Sequence, residues 1–279
     1  MIGALVTLAV LGLVFGSLLA YAASRFRVER DPRVDEVQDV LPGANCGACG
    51  YPGCGGLAEA IVDGRAPVDA CPVGGPAMWE SIARIMGVEL TTDRERMVAK
   101  VRCFGGTLCS DAFRYRGIEQ CRAAALVQKG PKACPSGCLG FGDCVAACQF
   151  GALRINRYGV AEVDPERCTG CGKCVQACPR QLIHMVPAGK KVHVLCANTV
   201  RGAKVRKMCK VGCLGCRACV RACEYDAIQV DNNLAVIDYA KCTECGACAQ
   251  KCPTKVIEDA GRQLHPRAVH EAAGREAAS

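Results

Sequence analysis

The sequence predicts an α+β chain: a single N-terminal transmembrane helix, a small four-Cys iron–sulfur domain, and two copies of a small two-cluster unit. Three observations carry this prediction. Cysteine makes up 25 of the 279 residues, a level that marks a scaffold organised by sulfur chemistry rather than by a large apolar core. Three runs read Cys-x2-Cys-x2-Cys-x3-Cys: Cys168, Cys171, Cys174 and Cys178; Cys213, Cys216, Cys219 and Cys223; Cys242, Cys245, Cys248 and Cys252. Finally, the chain repeats itself, KACPSGCLGFGDCVAACQFGA at 132–152 against KMCKVGCLGCRACVRACEYDA at 207–227. Half the residues are apolar and only 5% aromatic, which excludes a fully disordered chain.

The spacing decides between sulfur chemistries. Three thiolates two residues apart can wrap one corner of an iron–sulfur cube, and the fourth, three residues on, points to a neighbouring cube. Pro179 and Pro253 follow the first and third runs, as in bacterial cluster motifs. Zinc ribbons instead use two Cys pairs separated by a longer loop. An odd cysteine total leaves at least one thiol outside any disulfide framework.

Residues 1–27 form the predicted anchor. Ile2–Ala23 carries no charge over 22 residues, which as a helix spans about 33 Å against a bilayer core of about 30 Å. Ala20-Tyr21-Ala22 resembles a cleavage site, but a signal peptide carries its charges before the apolar run. Here Arg25, Arg27 and Arg30 follow it. By the positive-inside rule the chain is a single-pass protein of the cell (inner) membrane, with its cluster domains on the cytoplasmic side. Arg25–Val40 reads as a polar linker.

Residues 28–88 form the four-Cys domain. Cys46, Cys49, Cys54 and Cys71, padded by glycines, predict one 4Fe–4S cluster. A short helix over Leu57–Asp63 is ended by Gly64. Pro76–Gly87 reads as an amphipathic helix with Met78, Ile82 and Ile85 on one face, and Trp79 as core packing. Residues 89–132 form a Cys-containing linker region with Cys103, Cys109 and Cys121 at no recognisable spacing.

The repeat sets out unit 1 at 133–187 and unit 2 at 208–258, joined by a basic connector at 188–207. Each unit is read as ferredoxin-like: Cys loop, helix, β-hairpin, then an intact four-Cys run. The hairpins are placed at Leu153–Asn156 with Val160–Val163 and at Ile228–Val230 with Leu234–Ile237. Under the crossed rule of two-cluster ferredoxins, Cys242, Cys245 and Cys248 share a cube with Cys223, and Cys213, Cys216 and Cys219 share one with Cys252. In unit 1, Cys168, Cys171 and Cys174 go with Cys148, and Cys138 and Cys144 with Cys178. That last set is short by one, because the repeat aligns Phe141 with Cys216 and Phe cannot bind iron. Two fillings are open: Cys134 swinging in as the fourth ligand, which is favoured, or a three-iron 3Fe–4S cluster. The count is then five clusters. Cys103, Cys109, Cys121, Cys196 and Cys209 remain as candidate extra ligands, with room for one cluster more. One arrangement joins Cys134 and Cys209 with Cys103 or Cys196 in a common site.

Lys190–Arg221 carries nine Lys or Arg and no acid. It suits an acidic protein partner or an anionic membrane surface; nucleic acid is not expected, since aromatics for base stacking are missing. His184, His193, His265 and His270 are scattered and receive no role. No Gly-rich nucleotide loop, nucleophile elbow or acid–base pair is present, so no catalytic residue is assigned. Residues 259–279 form a polar tail.

The anchor together with NCGACGYPGCGGLAEAI, KACPSGCLGFGDC and DNNLAVIDYAKCTECGACAQKCP resembles the B subunit of the Rnf complex, the ion-translocating ferredoxin:NAD oxidoreductase. The likeness covers nearly the whole chain, and its Cys46–Cys71 segment is absent from ordinary ferredoxins. Two ferredoxin-like units match the longer members of that family. The resemblance implies an electron-transfer subunit of a translocase. It would take electrons from soluble ferredoxin and pass them towards other membrane subunits that hold the flavins, the NAD site and the ion path. Gln149 and Glu224, where Pro usually follows the fourth Cys, and Phe141 depart from the pattern. The alternatives are a polyferredoxin subunit of another membrane dehydrogenase or hydrogenase, and a zinc-binding interaction protein.

Overall fold

The computed structural model describes residues 2–26, 31–90 and 95–262. Helix α1 spans Ile2–Arg25, two residues past the predicted run. Its stretch Leu8–Arg25 has mean hydropathy 1.6, and none of it is buried against protein. Leu13, Phe15, Leu19 and Tyr21 all stand exposed. A helix of this length, apolar on every side, has the composition of a membrane span.

The stretch expected to be a linker instead holds helix α2 (Pro32–Val40), whose first turn is capped by the Asp31 carboxylate accepting from Arg33 N at 2.9 Å. Pro32 takes the first helical position, where its missing N–H costs nothing. Val34 and Val37, one turn apart, are buried against helices α3 (Gly53–Val62) and α4 (Pro76–Met86). Such a narrow apolar stripe among charges reads as linker until a partner face is known. Helix α4 stops at Gly87, whose φ of +66° and Val88 N–Ala83 O bond of 3.0 Å close a left-handed cap. Val37, Leu57, Ile61 and Ile82 are almost fully buried, each stabilising the three-helix domain by roughly 1.5–3 kcal/mol.

The two units share one topology. In unit 1, strand β1 (Met97–Val101) pairs antiparallel with β4 (Ile183–Pro187), from Met97↔Pro187 to Val101↔Ile183. Between them lie helix α5 (Cys121–Leu126), helix α6 (Asp143–Ala146), the hairpin β2 (Leu153–Ile155) with β3 (Ala161–Val163), and helix α7 (Lys173–Ala177). In unit 2, strand β5 (Val192–Val194) pairs antiparallel with β8 (Ile257–Asp259). Between these lie helix α8 (Gly202–Met208), helix α9 (Ala218–Arg221), the hairpin β6 (Ile228–Asp231) with β7 (Leu234–Ile237), and helix α10 (Ala247–Lys251). The first strand of each unit lies outside the expected boundaries: β1 in the 89–132 region and β5 in the 188–207 connector. Each is a short β-branched run that becomes a strand only when its distant partner pairs with it. Two-stranded sheets of this size are marginal in water, so the units depend on what their cysteines bind.

The units meet along a narrow strip of three chain segments. Cys109 faces Cys209 in an antiparallel bridge, flanked by Ser110 N–Met208 O at 2.9 Å and Lys210 N–Leu108 O at 3.1 Å. On the other side Asp111 faces Lys132, and Ala133 N donates to Ser110 O at 2.9 Å. An ion pair from Lys100 on β1 to the buried Glu258 on β8 also crosses between the units.

Candidate iron–sulfur sites

All 25 cysteines are free. In the helical domain, the Asn45 side chain accepts from Cys54 N at 2.8 Å. A Cβ on Gly53, whose φ is +83°, would lie 2.7 Å from that same oxygen, so only glycine lets the loop close there. Cys71 is buried beside Cys49 and Cys54, and burial is the main cause raising its pKa. Cys46 lies in the same loop. Buried Trp79 does pack in this core, and its indole N–H also donates to Cys71 O at 3.1 Å, tying helix α4 to the cysteine loop.

In unit 2, Cys223 lines one cavity with Cys242, Cys245 and Cys248, the set the crossed rule groups. Cys219 lies near Cys213 and Cys252, with Cys216 exposed on the same loop. In unit 1, Cys174 lies near Cys168, Cys171 and Cys148. Cys138, Cys144 and Cys178 line a second cavity, and the fourth cysteine on its wall is Cys121. The favoured substitute, Cys134, is not there; it lies on the strip between the units, with Cys109 and Cys209.

Local structure holds Cys121 at this cavity. Phe141 packs on Tyr115, ring centroids 5.7 Å apart, so the Tyr115 loop lies against the position a ligand would take. Asp143 then accepts from Cys121 N at 2.8 Å and Arg122 N at 2.9 Å, fastening the start of α5 beside Cys144. The repeat aligns Asp143 with Ala218 in unit 2. Asp143 is thus an acid present only in the first copy of the repeat.

The surroundings suit cluster ligands. Cys148 Sγ accepts from Ala152 N at 3.3 Å, Cys178 Sγ from Leu182 N at 3.4 Å, and Cys168 Sγ from Ala99 N at 3.4 Å. Burial pushes Cys138, Cys144 and Cys248 up to about 12, and Cys174 and Cys219 to about 11; such thiols ionise when a metal supplies positive charge. Arg180 lines the Cys121 cavity, and its Nε, Nη1 and Nη2 atoms are buried without a hydrogen-bond partner. A desolvated guanidinium needs an anion, and a thiolate-ligated cluster is one.

Comparison with known proteins agrees. Residues 41–73 match the Fe-S cluster family, 161–184 the 4Fe-4S binding domain and 212–256 the 4Fe-4S dicluster domain. The chain is 46% identical to the B subunit of the proton-translocating ferredoxin:NAD(+) oxidoreductase complex of Clostridium ljungdahlii, over 96% of each chain. It is 44% identical to the B subunit of the ion-translocating oxidoreductase complex of Methanosarcina acetivorans, over 92% of this chain and 98% of that one. The chain belongs to the family of B subunits of ion-translocating oxidoreductase complexes. A third member, the B subunit of the Na(+)-translocating ferredoxin:NAD(+) oxidoreductase complex of Acetobacterium woodii, is 48% identical over 90% of this chain and 75% of its own. As a member of the family of Rnf B subunits, the protein is an iron–sulfur electron-transfer subunit of an oxidoreductase complex. Bound clusters supply one-electron chemistry; the chain holds, spaces and insulates them.

Proposed function

We infer that the subunit takes electrons from soluble ferredoxin at unit 2 and passes them through five 4Fe–4S clusters towards the membrane subunits. The ligand sets are Cys46, Cys49, Cys54 and Cys71; Cys121, Cys138, Cys144 and Cys178; Cys148, Cys168, Cys171 and Cys174; Cys213, Cys216, Cys219 and Cys252; and Cys223, Cys242, Cys245 and Cys248. The cluster domains lie on the cytoplasmic side, following Arg25 and the charges after it.

The observation that carries the point of electron uptake is the surface around Cys216. Cys216 and Cys245 are the two exposed cysteines of the chain. Helix α8 abuts the Cys216 loop so closely that a Cβ on Gly202 would lie 2.4 Å from Leu214 O. That helix presents Lys204, Arg206 and Lys207 to solvent, beside exposed Lys210, Arg217 and Arg221. A cluster close to the surface, ringed by cations, is built to meet an acidic electron donor. Stopped-flow reduction by ferredoxin across a salt series tests this. Reduction should slow steeply as salt rises, and a rate indifferent to salt would remove the docking role.

A further inference from the structure

Five cysteines stand outside those sets, and all five line one cavity where the units join; Cys103, Cys109, Cys134 and Cys209 stand nearest one another. We propose that Cys103, Cys109, Cys134 and Cys209 hold a sixth 4Fe–4S cluster, shared between unit 1 and unit 2. This rests on reading the subunit as an iron–sulfur electron carrier.

The strip between the units brings the thiols together from three segments far apart in sequence. Cys109 lies in the middle, reaching Cys134 on one side and Cys209 on the other. Cys103 closes the fourth side. A Cβ on Gly105 would sit 3.2 Å from Cys209 Sγ and 3.9 Å from Cys103 Sγ, so a residue without a side chain leaves the space between the two sulfurs open. Cys103 Sγ accepts from Cys138 N at 3.4 Å, as the sulfurs of Cys148, Cys168 and Cys178 accept backbone N–H groups. These cysteines line one cavity, and Cys138 is shared between it and the cavity lined by Cys121, Cys144 and Cys178.

Charge points the same way. The Cys134 and Cys209 thiols both lie within hydrogen-bond reach of Cys109, so three sulfurs already cluster there. Lys132 Nζ donates to Gly106 O at 3.2 Å and pairs with Asp111 at 2.9 Å, close to Cys109. The unpartnered guanidinium of Arg180 senses Cys134 and Cys103 as well as Cys178 and Cys138, so it stands between this cavity and the Cys121 cavity. An unpartnered guanidinium beside a thiol-lined space in the interior fits an anionic cluster. Held by ligands from both units, the cluster is the step by which one electron passes from a reduced cluster of unit 2 to an oxidised one of unit 1.

The experiment uses the full chain, purified anaerobically in detergent and reconstituted with iron and sulfide. Iron, sulfide and zinc are counted, and spectra of the reduced protein recorded. Wild type should hold about 24 irons. Cys103→Ser, Cys109→Ser, Cys134→Ser and Cys209→Ser should each lose about four irons, or convert one site to a three-iron signal, with the other five signals intact. Cys196→Ser should retain them all. Wild type with about 20 irons, one bound zinc in place of the sixth cluster, or spectra unmoved by the four variants would overturn the junction site and leave the carrier role standing. Wild type without iron and sulfide would overturn the carrier role itself.

Discussion

Unit 1 and unit 2 have the same strand pairing, the same hairpin and the same order of cysteine loops, yet they solve the first cluster differently. Unit 2 supplies all three loop ligands from one run, Cys213, Cys216 and Cys219. Unit 1 has Phe141 where Cys216 stands, and Cys121, on a separate helix held by Asp143, lines the cavity of Cys138, Cys144 and Cys178. The cause is an insertion. Thirty residues separate Cys103 from Cys134 in unit 1, and only twelve separate Cys196 from Cys209 in unit 2. The longer stretch covers its cluster site, and no cysteine of unit 1 is exposed. The shorter one folds into the basic helix α8 and leaves Cys216 open. On the proposed function, one copy faces a partner and the other passes electrons inside the protein.

The comparison breaks most directly at Cys121. Cys121→Ala should remove about four irons or leave a three-iron site in unit 1, read by iron analysis and electron paramagnetic resonance. The double variant Cys121→Ala with Phe141→Cys should restore the lost signal if the two positions are alternative supports for one corner. An unchanged spectrum in Cys121→Ala would mean that unit 1 fills its site some other way.

A smaller effect is expected from charge. Reversing Lys204, Arg206 and Lys207 to Glu should slow uptake from ferredoxin by about tenfold at low ionic strength and flatten its salt dependence. The same reversal of Arg114, Arg116 and Arg122 in unit 1 should leave uptake near the wild-type rate. Equal slowing from both triplets would show that only overall charge matters.

The contact between units should matter next. Lys100→Met leaves the buried Glu258 carboxylate without its cation, which should cost about 2 kcal/mol, seen as a lower denaturation midpoint. Glu258→Gln together with Lys100→Met should recover part of the loss.

The last effect, of similar size and spread over a range of pH, is confined to unit 2. His193 is buried on β5 and donates from Nε2 to Lys190 O at 3.0 Å, so its Nδ1 accepts from the Tyr239 hydroxyl at 2.8 Å. Burial, then nearby Lys100, push its pKa down to about 4 from 6.5. The unfolded chain therefore takes up a proton that the folded chain refuses. Stability is full above pH about 6.5 and falls by about 1 kcal/mol per pH unit on the way down to pH about 4. His193→Gln should flatten this slope in a midpoint series between pH 7 and 5, and an identical slope in wild type and variant would dismiss the assignment.

The sequence by itself determined the chemistry. Cysteine runs at two, two and three residues, with the Cys46–Cys71 segment before them, name iron–sulfur ligation because those ligands are local: they share a loop, and spacing is geometry within a loop. The anchor was equally legible, since a charge-free run declares itself without a partner. The hairpins at Leu153–Val163 and Ile228–Ile237 followed from alternation across a short turn. Only the tertiary structure decided what depends on residues far apart. Helix α2 hid behind a stripe of three valines until α3 and α4 supplied the face it covers. Strands β1 and β5 looked like linker until β4 and β8 paired with them. Cys121 carried no spacing signal, because its tie to Cys144 runs through Asp143, twenty-two residues away. Cys109, Cys134 and Cys209 belong to one site because two backbone ladders lay three segments side by side. Which thiols share a site is a property of chain crossings, and a crossing leaves no period in the sequence.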